Sequence, residues 1–149
     1  MNISNLALGA MLIALPLLST GCKKPDKSAV AGTGGSTSVT LYPQHHSIAK
    51  NLTVCTVYVK YNTQTAPSDR VYDDSAVGFT AGGMIAVTFS GLQNGNYYFF
   101  GYGTDTTITP ITTPIVGGEA FTISQQGQSL TSPLAISEDY SDPSRPTVK

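Results

Sequence analysis

The chain has 149 residues and a mass of 15.6 kDa, which is enough for one domain and leaves little room for a second. Charged residues make up only 11% of the sequence and the net charge is −1, so we expect no nucleic-acid partner. The two cysteines exclude a disulfide-dense scaffold, while 40% apolar residues are enough for a hydrophobic core.

The first residues have the pattern of a targeting signal. The apolar run Leu6–Leu18 is shorter than the roughly 20 residues of a membrane span and fits the core of a signal peptide. Three small residues then precede Cys22. This arrangement resembles the lipobox of bacterial lipoproteins, which implies cleavage of a signal peptide over residues 1–21 and a diacylglycerol/acyl lipid on the Cys22 thiol. The alternative is an ordinary secretory signal next to a cysteine.

The rest of the chain divides into three parts by composition. Residues 22–36 are rich in Gly, Ser, Thr and Lys, which predicts a flexible tether. Residues 37–138 carry the folded domain, and residues 139–149, with two prolines and no apolar pattern, are predicted to be a loose tail. With the lipobox, this order implies an anchored protein of the bacterial envelope, in the outer membrane, and leaves open which side the domain faces.

The domain is predicted to be all β. From Thr37 onward Thr, Val, Ile, Tyr and Phe dominate and Gly, Pro, Asn and Asp punctuate, with no helical periodicity. Within it, Leu92 is predicted to enter the core just before a tight turn at Asn94-Gly95. The predicted strands lie near 38–42, 53–61, 78–81, 85–90, 96–102, 119–124 and 130–137.

Two resemblances refine this expectation. The pattern of Val87, Phe89, Leu92, Gly95 and Tyr97 resembles the transthyretin-like domains, including the carboxypeptidase regulatory-like modules. That resemblance implies a single antiparallel, immunoglobulin-like β-sandwich of about seven strands.

The lipobox and three further segments together resemble small lipoproteins of Bacteroidota. These segments are His45-His46, the strand 57–61 and the aromatic pair Tyr97-Tyr98. This resemblance implies no activity.

A strand over residues 51–61 places Cys55 on one face with Val57 and Val59. We interpret the Cys55 thiol as a small buried hydrophobe. The alternative, a catalytic thiol, needs a histidine beside it, which the sequence does not place there.

Two histidines and three aspartates are candidates for metal binding. His45 and His46 are adjacent, so on a strand they point to opposite faces and share one metal only in a turn. Asp73, Asp74 and Asp105 could bind calcium if their loops meet, although their spacing matches no calcium motif. We therefore predict no metal site and no cofactor other than the lipid on Cys22.

The tyrosines and two short motifs are further candidates. Tyr58, Tyr98 and Tyr102 share the outer side of two predicted strands, where they either form a binding platform or pack under loops. Ser75 and Thr106 follow aspartates in a pattern that resembles Bacteroidota O-glycosylation sites, which implies possible glycans at both.

We find no motif for an enzyme. Glu119, Glu138 and the aspartates provide acids for glycoside hydrolysis, but no spacing singles out a pair. We expect a non-catalytic binding or structural accessory module held at the membrane, with an envelope protein or a glycan as partner. The alternatives are a glycan- or calcium-binding component of an uptake system and a small hydrolase with a dispersed site. The oligomeric state stays open.

Overall fold

The computed structural model of the chain describes residues 30–48, 52–105, 114–138 and 144–149. Within these ranges strands account for 71% of the residues and no helix is present, so the all-β prediction is confirmed. Among the described residues there is accordingly no helix with the length and apolarity needed to cross a membrane. The predicted signal peptide, the predicted lipid-attachment residue Cys22 and the predicted glycosylation residue Thr106 lie outside the described residues.

The described ranges contain ten strands, and every segment predicted as a strand overlaps one of them. The strands are β1 (Thr33–His45), β2 (Leu52–Tyr61), β3 (Val71–Tyr72), β4 (Asp74–Val77), β5 (Phe79–Ala81), β6 (Met84–Leu92), β7 (Gly95–Asp105), β8 (Ile115–Ile123), β9 (Ser129–Glu138) and β10 (Thr147–Val148).

Eight of these strands form one sheet in the order β4-β2-β7-β8-β9-β1-β6-β5, and β10 pairs separately with β3. The connection between β8 and β9 is narrow, since only Ile115↔Glu138 and Val116↔Ser137 pair there. Strands β2 and β4 also contact β6 on the far side of the core. The result is one large, nearly closed sheet, with more strands than the seven expected.

The core follows from side-chain alternation along the strands. Cys55 and Val57 of β2 are fully buried, which confirms the interpretation of Cys55 as a core residue, and Leu92 is buried at the end of β6 as predicted. On β7, Tyr97 and Phe99 point into the same core. Full burial of a Val, Leu or Phe side chain contributes roughly 1.5–3 kcal/mol.

Three strands end at the same edge of the sheet because they run in the same direction. Strand β1 is parallel to β9, and β7 and β9 are both antiparallel to β8. Their last residues, His45, Asp105 and Glu138, therefore meet at one edge, which we call the histidine edge.

The chain enters the fold at the opposite edge, which we call the entry edge. There the Ala31 backbone N–H donates a hydrogen bond of 2.8 Å to Asn62 Oδ1, at the far end of β2 from Leu52. Ala31 is itself buried and β1 begins at Thr33. The ordered domain thus starts before residue 37, where the tether was expected to end, because this segment supplies core and hydrogen-bond contacts.

The described part of the C-terminal segment also differs from a loose tail. Residues 147–148 pair in parallel with 71–72 as strand β10. The Arg145 guanidinium donates through Nε to the Tyr58 hydroxyl at 2.7 Å and through its NH2 group to Thr56 Oγ1 at 3.1 Å. Backbone pairing and these two bonds fix the segment on the outside of β2.

Candidate functional site

A buried histidine–aspartate pair forms the centre of the histidine edge. His45 is the last residue of β1 and Asp105 is the last residue of β7. His45 Nδ1 lies 2.7 Å from Asp105 Oδ2, and the two side chains are only 4% and 2% exposed. Because a carboxylate only accepts hydrogen bonds, Nδ1 is the donor, and the other ring nitrogen, Nε2, is left to face the rest of the edge.

A two-residue turn brings the second histidine to the same place. His46 and Ser47 both have positive φ, 49° and 64°, and backbone hydrogen bonds join His45 and Ile48 in both directions. Asn-Gly is the favoured sequence for such a turn, and non-glycine residues with positive φ are uncommon. The turn frees His46 from strand alternation, so that its ring lies 4.2 Å from the His45 ring, measured between centroids.

Glu138, the last residue of β9, completes the cluster. Its Oε1 lies 3.3 Å from His46 Nε2, within a hydrogen bond, and also 3.3 Å from His45 Nε2. The His45 atom is buried and makes no aligned hydrogen bond. The ligand-type atoms of His45, His46 and Glu138 all lie within 4.8 Å of one another. We call these three residues the His–Glu cluster.

The charges in this region are mutually dependent. Burial on its own disfavours a charged His45, but the carboxylates of Asp105 and Glu138 outweigh it and raise the pKa of His45. The backbone N–H of Glu138 itself and the two histidines lower the pKa of the Glu138 carboxyl. Glu138 is therefore ionised at neutral pH, beside two imidazoles.

The structure does not bring the other aspartates to this edge. Asp74 pairs with Val59 on β2, whereas Asp105 pairs with Leu52, seven residues away along the same strand. That spacing corresponds to roughly 23 Å. Asp73 instead accepts a hydrogen bond from the Tyr61 backbone N–H at 2.8 Å and an ion pair from Lys149 Nζ at 2.6 Å. The three carboxylates proposed for calcium thus lie at two distant places.

The predicted tyrosine platform is covered in the structure. Tyr58 is buried against Tyr72, with ring centroids 5.6 Å apart, and Tyr98 and Tyr102 pack half-buried around the same cluster. Strand β3 brings Tyr72 over this face of the sheet, and Arg145 bonds the Tyr58 hydroxyl. The three tyrosines therefore pack under other segments of the chain and form no open platform, because β3 and the segment around Arg145 lie on the outside of β2 and β7.

Two other candidates have clear placements. Ser75 is exposed on β4, as a modification site requires. Burial raises the pKa of the Cys55 thiol to about 12, so at neutral pH Cys55 is a protonated core residue without a nucleophilic thiolate.

The outer side of β9, β1 and β6 carries rows of small hydroxyl side chains. Thr40 of β1 pairs with Thr88 of β6 and Thr131 of β9, and the Thr40 and Thr88 hydroxyls lie 2.9 Å apart. Next to this row, Ser38 pairs with Ser129. We call these five residues the hydroxyl face. None of them is charged, and none was singled out from the sequence.

A shallow groove of about 320 Å³ continues the hydroxyl face towards the histidine edge. It is lined by Tyr42, Gln44, Met84, Thr131, Ser132 and Pro133. The lining residues carry an aromatic ring, an amide, three hydroxyls and apolar surface, and none is charged.

A partly buried carboxyl lies on β8. Glu119 Oε1 is buried without a hydrogen-bond partner, and burial raises the pKa of Glu119 despite a hydrogen bond with Ser132. In register, Glu119 is four residues along β8 from Ile115, the partner of Glu138. That spacing is roughly 13 Å, more than the approximately 5–9.5 Å between the carboxyls of glycoside hydrolases.

Sequence reasoning singled out His45, His46 and Asp105 but did not join them, and it treated Glu138 only as a possible hydrolase acid. The contacts span 60 residues between His45 and Asp105 and 92 between His46 and Glu138. Alternation offered one signal, because it places Asp105 and His45 on the apolar sides of their strands, where a charged group needs a partner.

Comparisons of the chain with protein-family models, with curated proteins and with solved structures give no match.

Proposed function

We propose that this protein is a lipid-anchored, non-catalytic binding module of the bacterial cell envelope. The targeting signal and Cys22 support the anchor, and the ordered β domain that begins at residues 30–33 supports a single module close behind it. The proposal includes the outer membrane as the location and a transthyretin-like β-sandwich as the fold.

The division of the sheet is compatible with that fold. The narrow β8–β9 connection separates the strands β4-β2-β7-β8 from β9-β1-β6-β5, and β2 packs across the core against β6. Two four-stranded layers facing each other are the arrangement that a sandwich requires.

The orientation of the domain follows from its two edges. A chain anchored at Cys22 enters the fold at Ala31, on the entry edge. Strand β1 then extends for 13 residues to His45, or about 40 Å. The histidine edge consequently points away from the bilayer, and the hydroxyl face lies along the side of the domain.

The hydroxyl face is the observation that carries the binding role. Exposed sheet faces ordinarily carry charged and long polar side chains, which oppose association. Here Thr88, Ser129 and Thr131 are exposed and short, and their neighbours are uncharged. Such a flat, neutral surface fits an uncharged partner surface with little loss of side-chain entropy.

A neutral glycan is the second candidate partner, and the groove beside the hydroxyl face favours it. Tyr42 provides a ring on which a sugar can stack, and Gln44 and Thr131 provide hydrogen-bonding groups at the same place. The absence of charge among the six lining residues matches a neutral sugar.

A charge placed on the hydroxyl face tests the proposed role. Thr131→Lys puts an ammonium in the middle of the face, and Ser68→Lys puts the same charge on an exposed loop residue as the matched control. Cross-linking on cells of the native host should join wild type and Ser68→Lys to one envelope component, protein or glycan, and should lose that product in Thr131→Lys. Equal products from all three proteins would contradict the proposal.

A further inference from the structure

We propose that His45, His46 and Glu138 bind one late first-row divalent cation, with Zn²⁺ as the reference ion. This site is independent of the proposed anchoring and of the hydroxyl face, because it depends only on side chains at the histidine edge.

The spacing of the ligand atoms fits a tetrahedral cation. Metal–ligand bonds of about 2.0–2.1 Å at tetrahedral angles put neighbouring ligand atoms about 3.3 Å apart. Glu138 Oε1 lies 3.3 Å from His45 Nε2 and 3.3 Å from His46 Nε2. Two of the three edges of a three-ligand site therefore already have the required length.

The chemistry of His45 indicates a ligand as well. Its Nε2 atom is buried, lies 3.3 Å from Glu138 Oε1 and makes no aligned hydrogen bond, and the residue is only 4% exposed. The Nδ1 N–H donates to Asp105, so a proton or a metal cation must lie between Nε2 and the Glu138 carboxylate, and a bound metal takes the place of that proton. A metal-bound histidine usually donates its other ring N–H to a carboxylate or another acceptor, which fixes the orientation of the ring. Asp105 takes this place beside His45 and is therefore a positioning residue.

The strained turn supplies a third observation. His46 and Ser47 keep positive φ values where Asn-Gly is the favoured pair, and this conformation directs the His46 ring to Glu138. Local backbone strain of this kind costs free energy and is concentrated at binding sites. Here its effect is to bring two adjacent histidines to one carboxylate.

The ligand set selects the class of cation. Two imidazoles and a carboxylate suit Zn²⁺, Cu²⁺ and Ni²⁺, whereas Ca²⁺ takes six to eight oxygen ligands. His46 is 69% exposed at its side chain. The site thus keeps a fourth position open to water or to a group from a partner.

The test measures Zn²⁺ binding by the full chain, purified in detergent without a polyhistidine tag and stripped with a chelator. A chromophoric chelator competes for Zn²⁺ in the titration. His46→Asn removes the imidazole and keeps a residue that tolerates positive φ, and Glu138→Gln removes the charge at constant size. Asp74→Asn, which removes an exposed carboxylate on β4, is the matched control.

We expect wild type and Asp74→Asn to bind one Zn²⁺ per chain with equal affinity. His46→Asn and Glu138→Gln should each weaken binding by at least about tenfold, since even outer partners of a metal site contribute about 10–100-fold. X-ray absorption of the zinc complex should show two imidazole nitrogens at about 2.0–2.1 Å. Absence of stoichiometric binding to wild type would overturn the proposal, as would equal affinity in all four proteins.

Discussion

His45 Nδ1 lies 2.7 Å from Asp105 Oδ2, in a pair that joins the last residue of β1 to the last residue of β7 inside the fold. The two strands are not neighbours in the sheet, since β8 and β9 lie between them. The pair therefore bridges the narrow β8–β9 connection at the histidine edge, and it fixes the His45 ring for any ligand at Nε2.

Removing the charge of this pair should destabilise the fold. Asp105→Asn replaces the buried carboxylate by an amide of the same size, and one amide hydrogen then faces the His45 ring or lacks a partner. We expect a loss of about 1–3 kcal/mol in the free energy of unfolding, measured by urea denaturation. Asp74→Asn, exposed on β4, should change it by less than about 0.5 kcal/mol. Equal effects of the two substitutions would show that the His45–Asp105 pair contributes nothing to the free energy of unfolding.

Removing the charge of Glu119 should stabilise the fold, unlike removal of the Asp105 charge, because burial raises the pKa of the Glu119 carboxyl. A folded-state pKa above the unfolded one means that the stability contributed by the protonated form is lost as pH rises through the folded pKa. Glu119→Gln should thus stabilise the protein at pH 7 by up to about 1 kcal/mol. The gain should disappear near about pH 4, where wild-type Glu119 is protonated.

The measurement is the melting temperature of both proteins across that pH range, with Asp74→Asn as a control for the change in net charge. A melting temperature of Glu119→Gln below that of wild type at pH 7 would contradict the assignment of Glu119 as a buried, poorly solvated carboxyl.

Asp73 provides a prediction for acid pH. Although burial opposes the charge, Lys149, the Tyr61 backbone N–H and Lys60 together lower the pKa of Asp73. Its contribution to stability is therefore complete above the unfolded pKa and is lost as pH falls through the folded pKa. Asp73→Asn should cost about 1–2 kcal/mol at pH 7 and progressively less below about pH 4. Urea denaturation at several pH values checks this, and a cost independent of pH would refute it.

The narrow β8–β9 connection should be sensitive to a single methyl group. A Cβ on Gly117 would lie 2.1 Å from the Ala135 backbone oxygen and 2.9 Å from Ile136 Cα, both on β9. Gly117→Ala should cost about 3 kcal/mol, because backbone atoms must separate. Gly127→Ala meets no atom within 4 Å and has only an unfavourable φ of +77°, so it should cost about 1–2 kcal/mol. Thermal unfolding measures both losses of stability. A larger loss in Gly127→Ala than in Gly117→Ala would contradict the close approach of β8 to β9 at Gly117.

Sequence patterns predicted the strands well because each strand carries its own alternation. The alternation shows within a few residues which side of a strand is buried, as it does for Val57 and Val59 on β2 and for Tyr97 and Phe99 on β7. Strand order was less accessible, because the pairing of β1 with β9 in parallel depends on contacts about 90 residues apart. The His–Glu cluster was missed for the same reason, together with a turn whose positive φ values at His46 and Ser47 run against local preference.

The tyrosines show a different limit of prediction from sequence. The alternation that put Tyr58, Tyr98 and Tyr102 on the outer side of the sheet was right, but it cannot reveal what lies on top. Strand β3 and the segment around Arg145 cover Tyr58, and they come from distant and nearly pattern-free parts of the chain. Exposure therefore needed the tertiary structure.

Intact-mass measurement of the protein extracted from the membranes of its native host tests the anchored module most directly. We predict a chain that begins at Cys22 and carries acyl chains, and any further excess in hexose-sized steps would indicate glycans at Ser75 or Thr106. An unlipidated mass with a start at another residue would contradict the account. The protein would then be a soluble secreted β domain, and the orientation of the histidine edge away from a bilayer would have no basis.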